Sequence, residues 1–89
     1  MAKLTSMKNI GRELERKLTV VGIDSPEMLA ELGSKNAFFK LKEVYPQVCL
    51  VHLYALEGAI QNIELSCLSA DTKQELKAFS DFLKGQRHG

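Results

Sequence analysis

The sequence has few residues that form disulfides or break secondary structure, and it lacks tryptophan. Among 89 residues it contains no tryptophan, two prolines and two cysteines. Two cysteines make no disulfide framework, and no apolar leader follows the N-terminus, so we expect a reduced, cytoplasmic chain. The composition is otherwise ordinary for a globular protein, with 45% hydrophobic and 26% charged residues. At this length we expect a single domain over residues 1–89, with its core at about 7–84 and a frayed tail at 85–89.

Motifs that would identify an enzyme or a metal site are missing as well. No Ser/His/Asp grouping, GxxxxGK loop or paired zinc-ligand spacing is present. Cys49 and His52 form one half-pair, whereas a zinc site needs four placed ligands. Glu57 lies in an apolar segment, where a carboxylate more often caps or pairs with a neighbour than catalyses. We therefore expect no catalytic residue, no cofactor, no metal and no small-molecule substrate.

Charge of one sign is not in large excess. The chain has 12 Lys and Arg against 11 Asp and Glu, which argues against a strongly basic nucleic-acid-binding protein. The basic residues are more numerous in the first half. Residues 1–42 hold eight basic and five acidic side chains, whereas residues 43–89 hold four and six. Any anion-binding face is therefore expected in the first half.

The most informative segment is the apolar run VCLVHLYALEGAI at residues 48–60. It is too short to cross a bilayer, so it predicts a helix at about 47–62 that is buried on most sides, and no membrane contact. Cys49 in this run is expected to be a small core hydrophobe. Gly58 costs the helix about 1 kcal/mol relative to alanine. That cost suggests that a neighbouring helix approaches closely there.

Four further helices are predicted, because apolar residues recur at helical spacing and strict alternation is absent. The first is expected at about residues 10–18. The second is expected to begin with Ser25 as its N-cap and Pro26 in the first helical position, and to end at Gly33. Together with the central helix, these elements predict an all-α, compact domain of about five helices.

The third helix is expected to take Ser34 as its cap and to end before Pro46, because the residue before a proline avoids the helical conformation. The last helix is expected to open at Ser69 or Asp71 and to end at Gly85. The inward-facing residues of the second, third and last helices are expected to be Met28, Leu29, Leu32, Ala37, Phe38, Leu41, Val44, Tyr45, Leu76, Phe79, Phe82 and Leu83.

Two glycine-containing helix junctions suggest a function, NIGR at residues 9–12 and LGSK at residues 32–35. They resemble the hairpins of the helix-hairpin-helix (SAM-like) superfamily, in which backbone N–H groups at a helix N-terminus take a phosphate. The alternative, and the commoner role of such a glycine, is a helix C-cap. The residues that would contact phosphate or DNA are Gly11, Arg12, Gly33, Ser34 and Lys35.

The order of motifs along the whole chain resembles the TfoX C-terminal domain family. The most specific segments are NIG at residues 9–11, VGI at residues 21–23 and YALEGAI at residues 54–60, and the resemblance extends over about residues 7–83. It implies a compact helical domain. Because the family takes its name from a bacterial regulator of genetic competence, it also implies a regulatory role.

Two modes of action remain open. The near-neutral charge favours a non-enzymatic module that contacts a protein partner or a second copy of itself. Phe39 would be part of that contact, because it lies about 100° off the inward stripe of its helix. The alternative is weak, non-sequence-specific DNA binding through the glycine hairpins. The sequence leaves the partner and the oligomeric state undecided.

Overall fold

The regular structure of this chain is helical throughout the residues that the computed structural model describes, 3–86. Short 3-10 turns at Leu4–Ser6 and Leu65–Cys67 precede the first and last helices. The all-α, five-helix prediction is confirmed. Of the tail predicted at residues 85–89, residues 85 and 86 belong to the last helix and residues 87–89 lie outside the described part. The helices are α1 Arg12–Val20, α2 Pro26–Leu32, α3 Ser34–Val44, α4 Leu50–Gln61 and α5 Ala70–Gln86.

Local start signals explain where α2 and α5 begin. The Ser25 hydroxyl accepts a hydrogen bond from the Met28 N–H at 3.2 Å, and Pro26 occupies the first helical position. Ser69 does the same for α5, accepting from the Thr72 N–H at 3.1 Å. Of the two starts predicted for the last helix, the one capped by Ser69 is therefore confirmed.

Several predicted boundaries are wrong. The helix α1 begins and ends two residues later than the predicted range of about 10–18. The N-cap of α3 is Gly33, and Ser34 is already the first helical residue. The helix α4 begins at Leu50, because a turn follows Pro46. The helix α5 continues to Gln86, so Gly85 does not end it. Glycine permits the left-handed conformation that terminates a helix without imposing it.

The helix α4 lies at the centre and packs against α2, α3 and α5. The prediction of a central helix buried on most sides is confirmed, since Leu53, Leu56 and Ala59 are buried. One side of the helix faces solvent, where Val51 is 57% exposed. Cys49 is also exposed, which overturns its predicted core role, because it precedes α4 as the N-cap. The fully buried large side chains around this helix are Phe38, Leu4, Leu18, Ile23, Leu29, Leu41, Leu53, Leu56 and Val48.

Three residues predicted to face inward are exposed instead: Met28, Val44 and Phe82. Each has apolar neighbours on its helix that take the inner positions. In α5 the buried positions are Leu76, Ser80 and Leu83 at spacings of four and three, so Phe82 lies outside that stripe. These expectations were wrong because hydrophobicity alone does not rank adjacent apolar positions.

Gly58 allows another part of the chain to approach α4 closely, as predicted. The approaching segment is the loop after α4 and not a neighbouring helix. A β-carbon at this position would lie 2.8 Å from the carbonyl oxygen of Ile63 and in conflict with the side-chain amide of Asn9. The glycine therefore lets the chain after α4 fold back onto the helix. Within residues 3–86, none of the helices has the length and apolar character needed to cross a membrane.

Candidate functional site

The Gly11 turn, residues 9–12, leads into α1. Gly11 is the N-cap of that helix with a φ of −94°, an extended conformation open to any residue. A β-carbon built at Gly11 would meet no heavy atom within 4 Å. The fold therefore does not require glycine here. Its small size leaves the backbone N–H groups at the start of α1 accessible, and no side chain makes a capping hydrogen bond from the N-cap position within residues 3–86.

Asn9 anchors the Gly11 turn to the other half of the chain. Its backbone is left-handed, with a φ of 71°. Its side-chain amide donates to the carbonyl oxygen of Ile63 at 2.9 Å, and its side-chain oxygen accepts from the Leu65 N–H at 3.1 Å. The contact occurs beside Gly58, which leaves room for the amide. Sequence reasoning missed this anchor because its partners are backbone groups more than fifty residues away.

The charges on α1 are mixed. Arg12 is exposed and makes no ion pair within residues 3–86. Glu13 pairs with Arg16 at 2.5 Å, and Glu15 accepts from the Thr5 N–H at 3.4 Å. A cleft of about 250 Å³ adjoins Gly11 and Glu13. An anion at this turn would meet the Arg12 guanidinium and also the two carboxylates of the first helical turn.

The Gly33 turn, residues 32–35, joins α2 directly to α3. Gly33 has a φ of 91° and a ψ of 156°, a conformation that side chains with a β-carbon rarely adopt. Ser34 is buried, and its hydroxyl donates to Glu57 Oε1 at 2.6 Å. Gln61 donates to the other Glu57 oxygen at 2.5 Å. The chain thus supplies its own carboxylate at the N-terminus of α3.

Lys35 also has a partner within the chain. Its ammonium group donates to Glu75 Oε2 at 2.5 Å and lies 5.9 Å from the centre of the Phe79 ring. A cleft of about 350 Å³ adjoins this turn, and both Glu57 and Glu75 line it. It shares no lining residue with the cleft at Gly11. The two glycine turns predicted to bind phosphate therefore do not open into one common cleft.

A third cleft, of about 390 Å³, is largely apolar and lies between the α1–α2 turn, α2 and α3. Met28 opens onto it with 43% of its surface exposed, and Glu31 and Lys40 supply charge. Phe39, predicted to be a contact residue, directly precedes Lys40 on α3 and is 45% exposed. Sequence reasoning missed this cleft because Met28 was assigned to the core. The apolar lining residues are Val21, Ile23, Met28 and Leu32.

Cys49 and His52 lie together at the start of α4. The backbone N–H of Cys49 donates to His52 Nδ1 at 3.1 Å, and the exposed thiol lies 3.6 Å from the same nitrogen. Burial of the ring, followed by the nearby charges of Lys17 and Lys42, lowers the pKa of His52 below 6.5. No cluster of three or more His, Cys, Asp or Glu side chains suited to a metal ion occurs in the described part of the chain.

Comparison with known proteins connects this chain to one family. Residues 1–80 match the family model of the TfoX C-terminal domain. Protein Sxy of Escherichia coli is 33% identical over 81 residues, which cover 91% of this chain and 39% of that protein. The DNA transformation protein TfoX of Haemophilus influenzae is 34% identical over 74 residues, which cover 83% of this chain and 34% of that protein. The chain therefore spans less than half the length of these relatives.

Two crystal structures from Listeria monocytogenes have the same fold. The triclinic form of an uncharacterized protein superposes with a TM-score of 0.93 at 44% identity, covering 94% of this chain and 96% of that chain. The tetragonal form of a protein of unknown function gives 0.88 at 44% identity, covering 90% and 98%. In both, the alignment accounts for almost all of the crystallised chain.

Proposed function

The chain belongs to the TfoX C-terminal domain family, and from that premise we propose that it is a non-enzymatic regulatory module that acts through protein–protein contact in the bacterial cytoplasm. One relative is named a DNA transformation protein, which supports a role in regulating competence or a related process. The Listeria structures support the idea that a module of this extent folds by itself, since they consist almost entirely of the matching region.

The observation that carries this proposal is the apolar cleft lined by Met28, and the exposed Phe39 on α3 adds to it. Isolated exposed apolar residues are common on soluble proteins, whereas a recess with an apolar floor and charged residues at its edge suits the side chains of a partner. Met28 forms part of the wall, and a methionine adapts readily to the shape of what it contacts. Glu31 and Lys40 provide one charge of each sign for orientation.

The test is a comparison of Phe39→Ser and Met28→Ser with Val51→Ser. Val51 is 57% exposed but lies on α4, outside the apolar cleft. Sedimentation velocity would measure self-association, and affinity capture followed by direct titration would measure binding of a partner. We expect the first two variants to weaken binding and Val51→Ser to bind like the native chain. A purely monomeric chain that captures no partner would contradict the proposal.

A second candidate function, weak DNA binding without sequence readout, is favoured by one observation. Gly11 is not required by the fold, and Arg12 beside it is exposed without an ion pair in the described residues. An accessible helix N-terminus next to an arginine can contact a phosphate group. Gly33, Ser34 and Lys35 would contribute less, because Ser34 and Lys35 already bind Glu57 and Glu75.

A low-salt titration with duplex and single-stranded DNA separates the two turns. We expect Arg12→Glu to weaken binding more than Lys35→Glu, and the double variant to abolish it. Arg16→Glu is the matched control, because Arg16 lies on the same helix and is paired with Glu13. Binding should also weaken steeply as salt is added. If neither form of DNA binds at low salt, this second function is wrong.

A further inference from the structure

The first turn of α4 is capped in an unusual way. Its N-cap residue is Cys49, and no acidic residue occurs in the first turn. In a capping box, a Glu or Gln three residues into the helix usually accepts the hydrogen bond of the N-cap N–H. Here His52 holds that position, and its Nδ1 accepts from the Cys49 N–H at 3.1 Å. Nδ1 can accept only while it carries no proton, so the observed geometry belongs to the neutral ring.

The surroundings of His52 disfavour a positive charge. Lys17 approaches from α1 and Lys42 from α3, and both oppose protonation of the ring. Lys42 is held in place, because its ammonium group donates to the carbonyl oxygens of Val48 at 2.7 Å and Pro46 at 3.0 Å. The ring also lies at the positive end of the α4 dipole.

The hydrogen bond with the Cys49 backbone raises the pKa of His52, but by less than burial and the charge of Lys17 lower it. Glu13 lines the same cleft as His52, but it is paired with Arg16. The nearby thiol of Cys49 lies 3.6 Å from Nδ1. The charges of Lys17 and Lys42 therefore oppose protonation of Nδ1, and a proton there would remove the acceptor of the Cys49 N–H.

We propose that His52 is a pH-sensitive cap, which fixes the first turn of α4 when its ring is neutral and releases that turn when Nδ1 is protonated. The released segment is the connection between α3 and the central helix, where Val48 is fully buried. Protonation would therefore loosen the chain on one side of the core, while the far end of α4 stays attached through Glu57 and Ser34.

The direction of the pH dependence follows from linkage. The pKa of His52 is lower in the folded chain than the unfolded value of 6.5. The unfolded chain therefore binds a proton at this histidine more readily than the folded chain does. The cap is thus complete above pH 6.5. Its stabilising effect decreases as the pH falls below 6.5, and the loss is complete below the folded pKa of His52.

The experiment is an NMR titration of the full chain between pH 8 and pH 5, in a His88→Gln background so that one imidazole titrates. The His52 ring resonance gives the midpoint, and amide hydrogen exchange, normalised to intrinsic rates, gives the protection of residues 49–52. We expect a midpoint below 6.5 and a loss of protection of about fivefold with that same midpoint, the size expected for losing one capping hydrogen bond.

Three variants make the result specific. His52→Gln keeps a side-chain acceptor that does not titrate, so protection of the first turn should no longer depend on pH. Lys17→Gln should raise the midpoint. Lys40→Gln should leave it unchanged, because Lys40 on α3 is not one of the charges that act on His52. The proposal is overturned if the midpoint lies at or above 6.5, or if protection in the His88→Gln chain is the same at both ends of the titration. Those two readings, made with His52, Lys17 and Lys40 all unchanged, decide the matter even if one of the three variants fails to fold.

Discussion

Gly33 and Gly11 each directly precede a helix, yet their backbones differ: φ is 91° at Gly33 and −94° at Gly11. In the Gly33 turn the residues after the glycine are held within the chain, Ser34 by Glu57 and Lys35 by Glu75. In the Gly11 turn the residue two positions before the glycine is held, because Asn9 makes two hydrogen bonds to the loop after α4.

This difference shows how one sequence motif can have two roles. The Gly33 turn is a structural joint whose polar groups are satisfied internally, so little remains to bind a ligand. The Gly11 turn is anchored from upstream, which leaves Arg12 and the start of α1 facing solvent. A glycine that is required by backbone conformation and a glycine that is not can be distinguished only by φ and by the atoms around them.

The largest effect is expected from Gly58→Ala, which tests the anchor of the Gly11 turn. The added methyl group would press on the Ile63 carbonyl oxygen and the Asn9 amide. We expect the free energy of unfolding to fall by about 3 kcal/mol, as for overpacking in a closely packed site. Urea denaturation measures it. The control is Gly85→Ala in α5, where the space is open and stability should rise by up to about 1 kcal/mol. Equal effects would show that Asn9 and Gly58 are not in close contact.

Gly33→Ala and Gly11→Ala compare the two turns directly. At Gly33 the alanine is forced into a conformation nearly restricted to glycine, so we expect a loss of about 2 kcal/mol of unfolding free energy. At Gly11 we expect a change of no more than about 0.5 kcal/mol, because the backbone and the space accommodate a methyl group. A large loss of unfolding free energy in Gly11→Ala would show that the fold requires glycine at position 11 as it does at position 33.

Ser34→Ala tests whether the Gly33 turn is held by Glu57. Removing the buried hydroxyl leaves one Glu57 oxygen without its donor, which should lower the free energy of unfolding by about 1.5 kcal/mol. Ser66→Ala is the control, since Ser66 is exposed and its hydroxyl makes no hydrogen bond among the described residues. Thermal or urea unfolding gives the difference between the two variants. Equal stabilities would mean that the Ser34 contact contributes nothing measurable.

The smallest effect is expected for the cations after the glycines. Lys35→Gln removes an ion pair with Glu75 in which both side chains are substantially exposed, so the loss should be only about 0.5 kcal/mol. Adding salt should reduce even that. Arg12→Gln should not change stability measurably. A double-mutant cycle of Lys35→Gln with Glu75→Gln isolates the pair, and a coupling energy of zero would show that Lys35 is as available to a ligand as Arg12.

The sequence was sufficient for features that depend on adjacent residues. Ser25 with Pro26, Ser69, and the boundary before Pro46 are read from local chemistry, and the structure has them as expected. The burial of α4 also follows from one segment, because thirteen mostly apolar residues have to be covered. These features need no knowledge of distant partners.

The rest required the tertiary structure. The contact of Ser34 with Glu57 spans 23 positions and that of Asn9 with Ile63 spans 54. Nothing in either local pattern indicates its partner. The exposure of Met28 was likewise unpredictable, because both it and Leu29 are apolar and packing buries only the latter. The candidate residues were therefore identified from the sequence as two equivalent groups, and their different surroundings became visible only in the fold.

The meeting of Asn9 with Gly58 has a consequence for how this domain can change over evolutionary time. The Asn9 amide fits only where its neighbour has no side chain, and Gly58 is such a neighbour. The amide in turn fills the space next to Gly58. A chain that acquires a larger residue at position 58 is expected to lose asparagine at position 9 in compensation, and the reverse. Among descendants of this domain, the two positions should therefore vary together although half the chain separates them.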